Sequence, residues 1–325
     1  MTAAGRSSRL ALAALVLTAP VFAQPAHPAS PAEKPPAAAA ADQDKVDLAY
    51  GAFQRGYYLT AFALATKRAE NGDPVAMTLL GELYAQGFGI GRDDTKAAEW
   101  YKLAADRGDR NAMFALAMSE LTGRGVPRNA EAATRLLEQA AKLGHPLAAY
   151  DLGLLYLQGQ QFPQDFAKAA ALFTQAASLG NPEAQYALAT MYKEGRGVPK
   201  SIDRAMALMG QAAQAGNLDA MVEYAIGEFN GTGVAKDEAA AAQLLLKASR
   251  RGSPVAQNRL ARILMAGRGM PADPVEAIKW HIVSKAGGAS DPELDLFASK
   301  QPASVCEAAE KAAKKWLSTT EPPRP

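Results

Sequence analysis

Residues 73–288 divide without a gap into six blocks of 36 residues, and every block ends in glycine: Gly108, Gly144, Gly180, Gly216, Gly252 and Gly288. With places counted from the first residue of each block, place 4 is always Ala (Ala76, Ala112, Ala148, Ala184, Ala220, Ala256). Place 15 is always Gly (Gly87, Gly123, Gly159, Gly195, Gly231, Gly267), and place 25 is always Ala (Ala97, Ala133, Ala169, Ala205, Ala241, Ala277). A period of this length marks a unit that buries its apolar face against its neighbours, so the chain must fold as a stacked array. The pentapeptide "GRGVP" at 123–127 and 195–199, with "GRGMP" at 267–271, is one column of that array seen in alternate blocks, 72 residues apart.

Each block reads as two helices. The first opens after a polar residue, often with Pro at its first position, as in "HPLAAYDLGLLYLQG" and "NPEAQYALATMYKEG". Ala at place 4 and Leu at place 8 (Tyr224 in the fifth block) lie four residues apart on one face. Gly at place 15 ends the helix in a left-handed conformation. The second helix, as in "DTKAAEWYKLAADRG", runs to the block-ending Gly, with Ala97, Trp100 and Ala104 read as its inward face. Small side chains along these faces let paired helices approach closely, which is why Ala dominates the composition.

The glycine pentapeptide is not a phosphate cradle. A phosphate loop follows a strand and opens a helix, so that backbone N–H groups face the anion. Here the Gly-x-Gly follows a helix in every block where it occurs, and no Gly-Lys dipeptide exists in the chain.

Before the array, "MTAAGRSSRLALAALVLTAPVFAQP" sets two arginines ahead of an apolar run and small residues at Val21 and Ala23. This pattern predicts a signal peptide over 1–23, cleaved after Ala23, and export to the periplasm or medium. The apolar run is shorter than the roughly 20 residues that span a bilayer, so no stable membrane insertion is expected after cleavage. Removal of Arg6 and Arg9 leaves 33 basic and 33 acidic residues, a balance that argues against nucleic acid or an anionic membrane as partner. Residues 24–41, rich in Pro and Ala, read as a linker. Cys306 is the single cysteine, so no intramolecular disulfide framework exists and packing alone must hold the fold.

The block pattern "A…LG..Y..G.GV..D…A..WY..AA..G", fullest in "AMTLLGELYAQGFGIGRDDTKAAEWYKLAADRG", resembles the Sel1-like repeat, a relative of the tetratricopeptide repeat. The resemblance covers 73–288 and implies an all-α, right-handed α-solenoid of six two-helix repeats. Residues 42–72 would form N-terminal capping helices, and 289–325 a C-terminal capping helix and tail. Members of the family mostly act as scaffolds and adaptors, some exported ones in envelope signalling. The expected function is therefore an exported, non-catalytic scaffold that binds a protein or peptide segment, with an envelope protein among the candidate partners. Alternatives are a periplasmic regulator of a sensor kinase or of polysaccharide machinery, and, in another class, a cell-wall hydrolase. Three features depart from the pattern: Gln161 replaces the second loop Gly in the third block, Glu120 and Glu228 replace the usual Tyr at place 12, and the last block ends "SKAGG" rather than "AA..G".

Nothing in the chain calls for a catalytic centre, a cofactor or a metal. One subgroup of Sel1-like proteins, linked to β-lactam chemistry, carries a Cys pair in each repeat; here no repeat has a Cys, and S-x-x-K and G-x-S-x-G are absent. His27, His145 and His281 have no metal-ligand spacing, and His145 reads as a helix-start residue. Glu120 and Glu228 lie three blocks apart, on the order of 25 Å or more for stacked helices, against about 5–9.5 Å for a glycosidase pair. They read as exposed or loop-capping carboxylates. Arg124, Arg196 and Arg268 read either as a basic row for an acidic partner or as a solvated loop edge.

A ligand groove is expected along the first helices, at places 3, 6, 10 and 13. Its apolar members in the middle blocks, Phe114, Met118, Leu121, Tyr150, Leu154, Leu157, Tyr186, Ile226 and Phe229, form the candidate binding site. Packing between neighbouring repeats competes with ligand binding as their role.

Overall fold

The computed structural model describes residues 47–159 and 163–319. The expected signal peptide and linker, the loop departure at Gln161 and the end of the tail all lie outside the described residues. Within these bounds the chain forms sixteen helices and no strand. Two leading helices, the short α1 (Leu48–Gln54) and α2 (Tyr58–Glu70), precede the array. The first helices of the six blocks are α3 (Pro74–Gln86), α5 (Arg110–Thr122), α7 (Pro146–Gln158), α9 (Pro182–Glu194), α11 (Leu218–Asn230) and α13 (Pro254–Ala266). The second helices are α4 (Asp94–Ala105), α6 (Ala130–Lys142), α8 (Phe166–Ser178), α10 (Ile202–Gln214), α12 (Glu238–Arg250) and α14 (Pro274–Ala286). Two helices close the chain, α15 (Pro292–Ser299) and α16 (Ala303–Thr319). From α1 to α15 each helix packs on the next, and α16 packs back onto α14, so the whole is a solenoid with a pair of helices at either end.

Local chemistry sets every boundary in the array. The first helices begin at Asp73, Asp109, His145, Asn181, Asn217 and Ser253, each of whose side chains accepts a backbone N–H of the first turn. The second helices begin in the same way at Asp93, Asn129, Asp165, Ser201, Asp237 and Asp273. Gly at place 15 caps each first helix in the left-handed region, with φ between 65° and 75°.

The second loop glycine, at place 17, is required for a different reason. A Cβ on Gly125, Gly197 or Gly269 would overlap the backbone carbonyl of Asp94, Phe166 or Glu238. These three carbonyls occupy place 22 of the preceding block. The loops of the second, fourth and sixth units therefore rest directly on the first turn of the preceding unit's second helix: in their Gly-x-Gly one glycine stops a helix and the other lets two units touch.

The core is an alanine seam repeated from block to block and studded with larger side chains. Ala at places 4 and 25 is at most 3% exposed in all six blocks. Place 29 supplies the bulk, through buried Tyr101, Leu137, Phe173, Met209, Leu245 and His281. Here the structure corrects one detail: Tyr101, not Trp100, is the large side chain in the core of the first block, and Trp100 is only half-buried. Place 9 adjusts to place 29. It is Gly where the partner is Tyr or Phe (Gly81 with Tyr101, Gly153 with Phe173) and Ala where the partner is Leu, Met or His (Ala117, Ala189, Ala225, Ala261).

Candidate protein-binding groove

Successive first helices lie side by side and form one face of the solenoid. Their register is fixed by ion pairs and hydrogen bonds across units. Lys193 at place 13 of the fourth block meets Glu223 at place 7 of the fifth, at 2.7 Å. Thr78 donates to Asp109 at 3.0 Å. At the C-terminal end, Arg262 holds Asp291 through two hydrogen bonds of 2.6 and 2.9 Å and reaches Glu293 at 2.7 Å. Asp291 is only 4% exposed. Burial raises its pKa, but the hydrogen bonds from Arg262 and Asn258 outweigh that and bring it down to about 2.

The nine expected groove residues are all half-buried, and all of them pack against the core clusters. Phe114 stacks on the imidazole of His145 across the unit boundary, ring centres 4.5 Å apart. Tyr150 tilts against Phe173 at 5.7 Å, and burial pushes its phenol to about 12. Part of each surface thus joins neighbouring units and part remains open. Met118, Leu154 and Ile226 at place 10 share this half-buried state with the residues at places 6 and 13. Ile226 and Phe229 come together with Met265, Arg259 and Arg262 around a depression of about 290 Å³ between α11 and α13.

Place 7 belongs to this face as well, which block periodicity alone does not reveal. The Lys193–Glu223 register pairs place 13 of one block with place 7 of the next, and so sets Asp151 beside Leu121 and Arg259 beside Phe229. Asp151 is half-buried, and burial alone carries its carboxyl to about 7.

The loop arginines are engaged within the chain. Arg124 reaches Asp94 at 3.2 Å, Arg268 bonds Glu238, and Arg196 lies over the Phe166 ring at 4.4 Å. Each spans from place 16 of one block to place 22 of the previous one, a loop-edge role. His145 is the N-cap of α7, its Nδ1 accepting from the Ala148 N–H at 3.1 Å. Glu120 and Glu228 are half-buried rather than exposed, which corrects that expectation. Their neighbourhood gives the reason. Where place 12 is Tyr, a cation stands over the ring from place 24: Lys96 over Tyr84, Lys168 over Tyr156, Arg204 over Tyr192. Where it is Glu, place 24 is Ala132 or Ala240, and burial raises both carboxyl pKa values. Among the described residues, no group of three or more His, Cys, Asp or Glu side chains is arranged to hold a metal ion. No helix among them is long and apolar enough to cross a membrane.

Stacked two-helix units with one continuous face of first helices define an α-solenoid repeat protein. The chain belongs to the Sel1 repeat family, whose repeat matches residues 74–109, 110–145, 146–181, 182–217, 218–253 and 254–283. Among solved structures it is similar to a Sel1 repeat protein from Oxalobacter formigenes, with 27% identity and a TM-score of 0.66 over 74% of this chain and 98% of that one. It is also similar to c5321, a protective antigen present in uropathogenic Escherichia coli strains that displays an SLR fold, with 25% identity and a TM-score of 0.54 over 80% of this chain. The match spans 64% of the length of c5321. No curated protein matches the sequence.

Proposed function

We infer that this protein is an exported scaffold or adaptor of the cell envelope that binds a segment of a protein partner along its first-helix face, without catalysis of its own. The observation that carries this reading is the state of Phe114, Met118, Leu121, Tyr150, Leu154, Leu157, Tyr186, Ile226 and Phe229. They form apolar columns on one face, half-covered by neighbouring repeats. A half-covered apolar column is ordered before a ligand arrives, so little side-chain entropy is lost on binding. Grooves of this kind take extended or helical segments through side-chain pockets. Export rests on the N-terminal sequence pattern, and the expected mature N-terminus is Gln24.

The test is affinity capture from an envelope extract with the exported chain as bait, beside a variant with Met118→Ser, Leu154→Ser and Ile226→Ser whose melting curve remains cooperative. Retention of a protein by the parent and its loss with the variant supports the groove. Equal retention by both places the interaction on the loops, the other face or the ends and overturns the site. N-terminal sequencing of the secreted or periplasmic protein tests export, and a mature chain beginning elsewhere than near Gln24 overturns the cleavage site.

A further inference from the structure

We propose that the depression between α11 and α13 is a specificity pocket for an acidic-apolar motif, an aspartate or glutamate next to a large aliphatic or aromatic side chain, within a chain segment of the partner. The proposal rests on the groove reading above and adds to it the chemistry of the segment.

The floor of the depression is apolar, formed in part by Ile226, Phe229 and Met265. At about 290 Å³ it has room for one large side chain. Three guanidinium groups stand around it, those of Arg259, Arg262 and Arg268. Two of them are already neutralised within the chain. Arg262 is held by Asp291 and Glu293, and Arg268 bonds Glu238 while lying over the Phe229 ring at 4.4 Å. Arg259 differs: it is exposed at place 7, and among the described residues it has no carboxylate partner. The equivalent place one block earlier carries Glu223, and that residue is paired with Lys193. An apolar floor with one unpaired guanidinium at its rim is complementary to an apolar side chain beside a carboxylate. The planar fork of Arg receives a carboxylate through two parallel hydrogen bonds, a geometry that Lys lacks.

The carboxylate belongs to a side chain rather than to a chain terminus. The face of first helices continues beyond the depression towards the N-terminal blocks, where Tyr186 occupies place 6 of the fourth block. On its other side stands Glu293, 60% exposed, whose charge opposes a second negative group arriving at the end of the groove. A segment passing through meets Arg259 with an internal acidic residue.

The experiment is selection of a phage-displayed random 12-residue library on the exported chain. Because the displayed peptides are fused at their C-terminus to the coat protein, they offer only side-chain carboxylates. The expected result is enrichment of peptides with Asp or Glu within two residues of Leu, Ile, Phe or Met. The leading peptide, made synthetically with an amidated C-terminus, is then titrated by fluorescence anisotropy against three variants. Arg259→Glu should weaken binding at least tenfold, and Arg259→Lys only about threefold. Changing the peptide's acidic residue to its amide should cost about as much as Arg259→Glu, with no further loss when the two changes are combined. Peptides without acidic enrichment, or bound equally by parent and Arg259→Glu, overturn the pocket. If such peptides are lost with Met118→Ser/Leu154→Ser, the groove stands and only the pocket assignment fails. If they bind all variants equally, or none is enriched, both readings fail. Enrichment only from a library with free C-termini overturns the internal-segment source.

Discussion

Gly125 rests its α-carbon against the main-chain carbonyl of Asp94, 31 positions earlier, at the point where the loop of the second unit meets the second helix of the first. Any side chain at residue 125 must displace backbone, because the atoms it would meet are a carbonyl and the following N–H. Its φ of 72° adds a second penalty for any residue bearing a Cβ. Gly125→Ala should therefore lower stability by about 2–4 kcal/mol. Gly91 lies in a loop of the first block with open space around its α-carbon and no positive φ. Gly91→Ala should be neutral or stabilising by about 0.5 kcal/mol through the unfolded chain. Urea unfolding of the two variants checks both values, and equal effects would mean the unit-to-unit contact is absent.

The pairing of place 9 with place 29 makes a second prediction. A Cβ at Gly153 would stand 2.7 Å from Cε1 of Phe173, so Gly153→Ala overpacks the third block. The cost should be about 1–3 kcal/mol. Phe173→Leu alone leaves a cavity in place of the ring and also destabilises. Combined, the two changes recreate the Ala117–Leu137 and Ala225–Leu245 arrangements that the chain already uses. The double variant should be more stable than the sum of the single effects by at least about 1 kcal/mol. A double-mutant cycle by chemical denaturation reads this coupling, and additivity would refute the size-matching.

Most of the fold is legible in the sequence because its determinants are local. The capping residues at places 1 and 21 and the glycines at places 15 and 36 each act within one turn of their own helix, so periodicity exposes them. The inward face of the second helix is less secure. Trp100 and Tyr101 lie three and four residues beyond Ala97, and both spacings fit a helical stripe. Which of them is central depends on Gly81 in the facing helix, a tertiary choice. The functional face is harder still, since it depends on the rotation from one unit to the next. That register does leave a trace in the sequence. Arg124 and Asp94, Lys193 and Glu223, and Arg268 and Glu238 are each 30 residues apart with opposite charge. The same 30-residue offset sets Arg259 against Phe229 and Asp151 against Leu121, so both charged residues fall on the groove face.

His145 makes the solenoid sensitive to acid at one unit boundary. Its Nδ1 accepts the Ala148 N–H, so the ring must be neutral, and burial, followed by the charge of Arg110, lowers its pKa to about 4. The folded state then binds fewer protons than the unfolded chain between these limits. Stability is full above about pH 6.5, the ordinary value for histidine, and is lost as pH falls towards 4. The loss should reach about 2 kcal/mol. His145→Asn keeps a capping side chain of the kind used at Asn181 and Asn217 and should flatten the profile. Unfolding free energies of parent and variant at pH 7 and pH 4.5 measure the difference, and an unchanged slope would show that the proton is taken up elsewhere.

Asp151 should act in the opposite sense. Its carboxyl is raised to about 7 by burial on the groove face, so the folded protein holds a proton there that the unfolded chain releases. Stability from this residue is full below about pH 4, the ordinary carboxylate value, and is lost as pH rises towards 7. Asp151→Asn removes the ionisation while keeping the shape. It should match the parent near pH 4 and exceed it by about 1–2 kcal/mol at pH 7.5. The two profiles, read as a difference between variant and parent, cancel the contribution of His145, which is common to both. The same residue bears on binding, because Asp151 stands beside Leu121 within the apolar columns. Below pH 7 the neutral carboxyl extends the apolar strip, whereas above it a charge interrupts the strip between Tyr150 and Leu154. A groove-bound peptide should accordingly bind Asp151→Asn with a flat pH profile and the parent more weakly as pH rises from 6 to 8. A peptide whose affinity for parent and variant changes identically over that range does not cross Asp151.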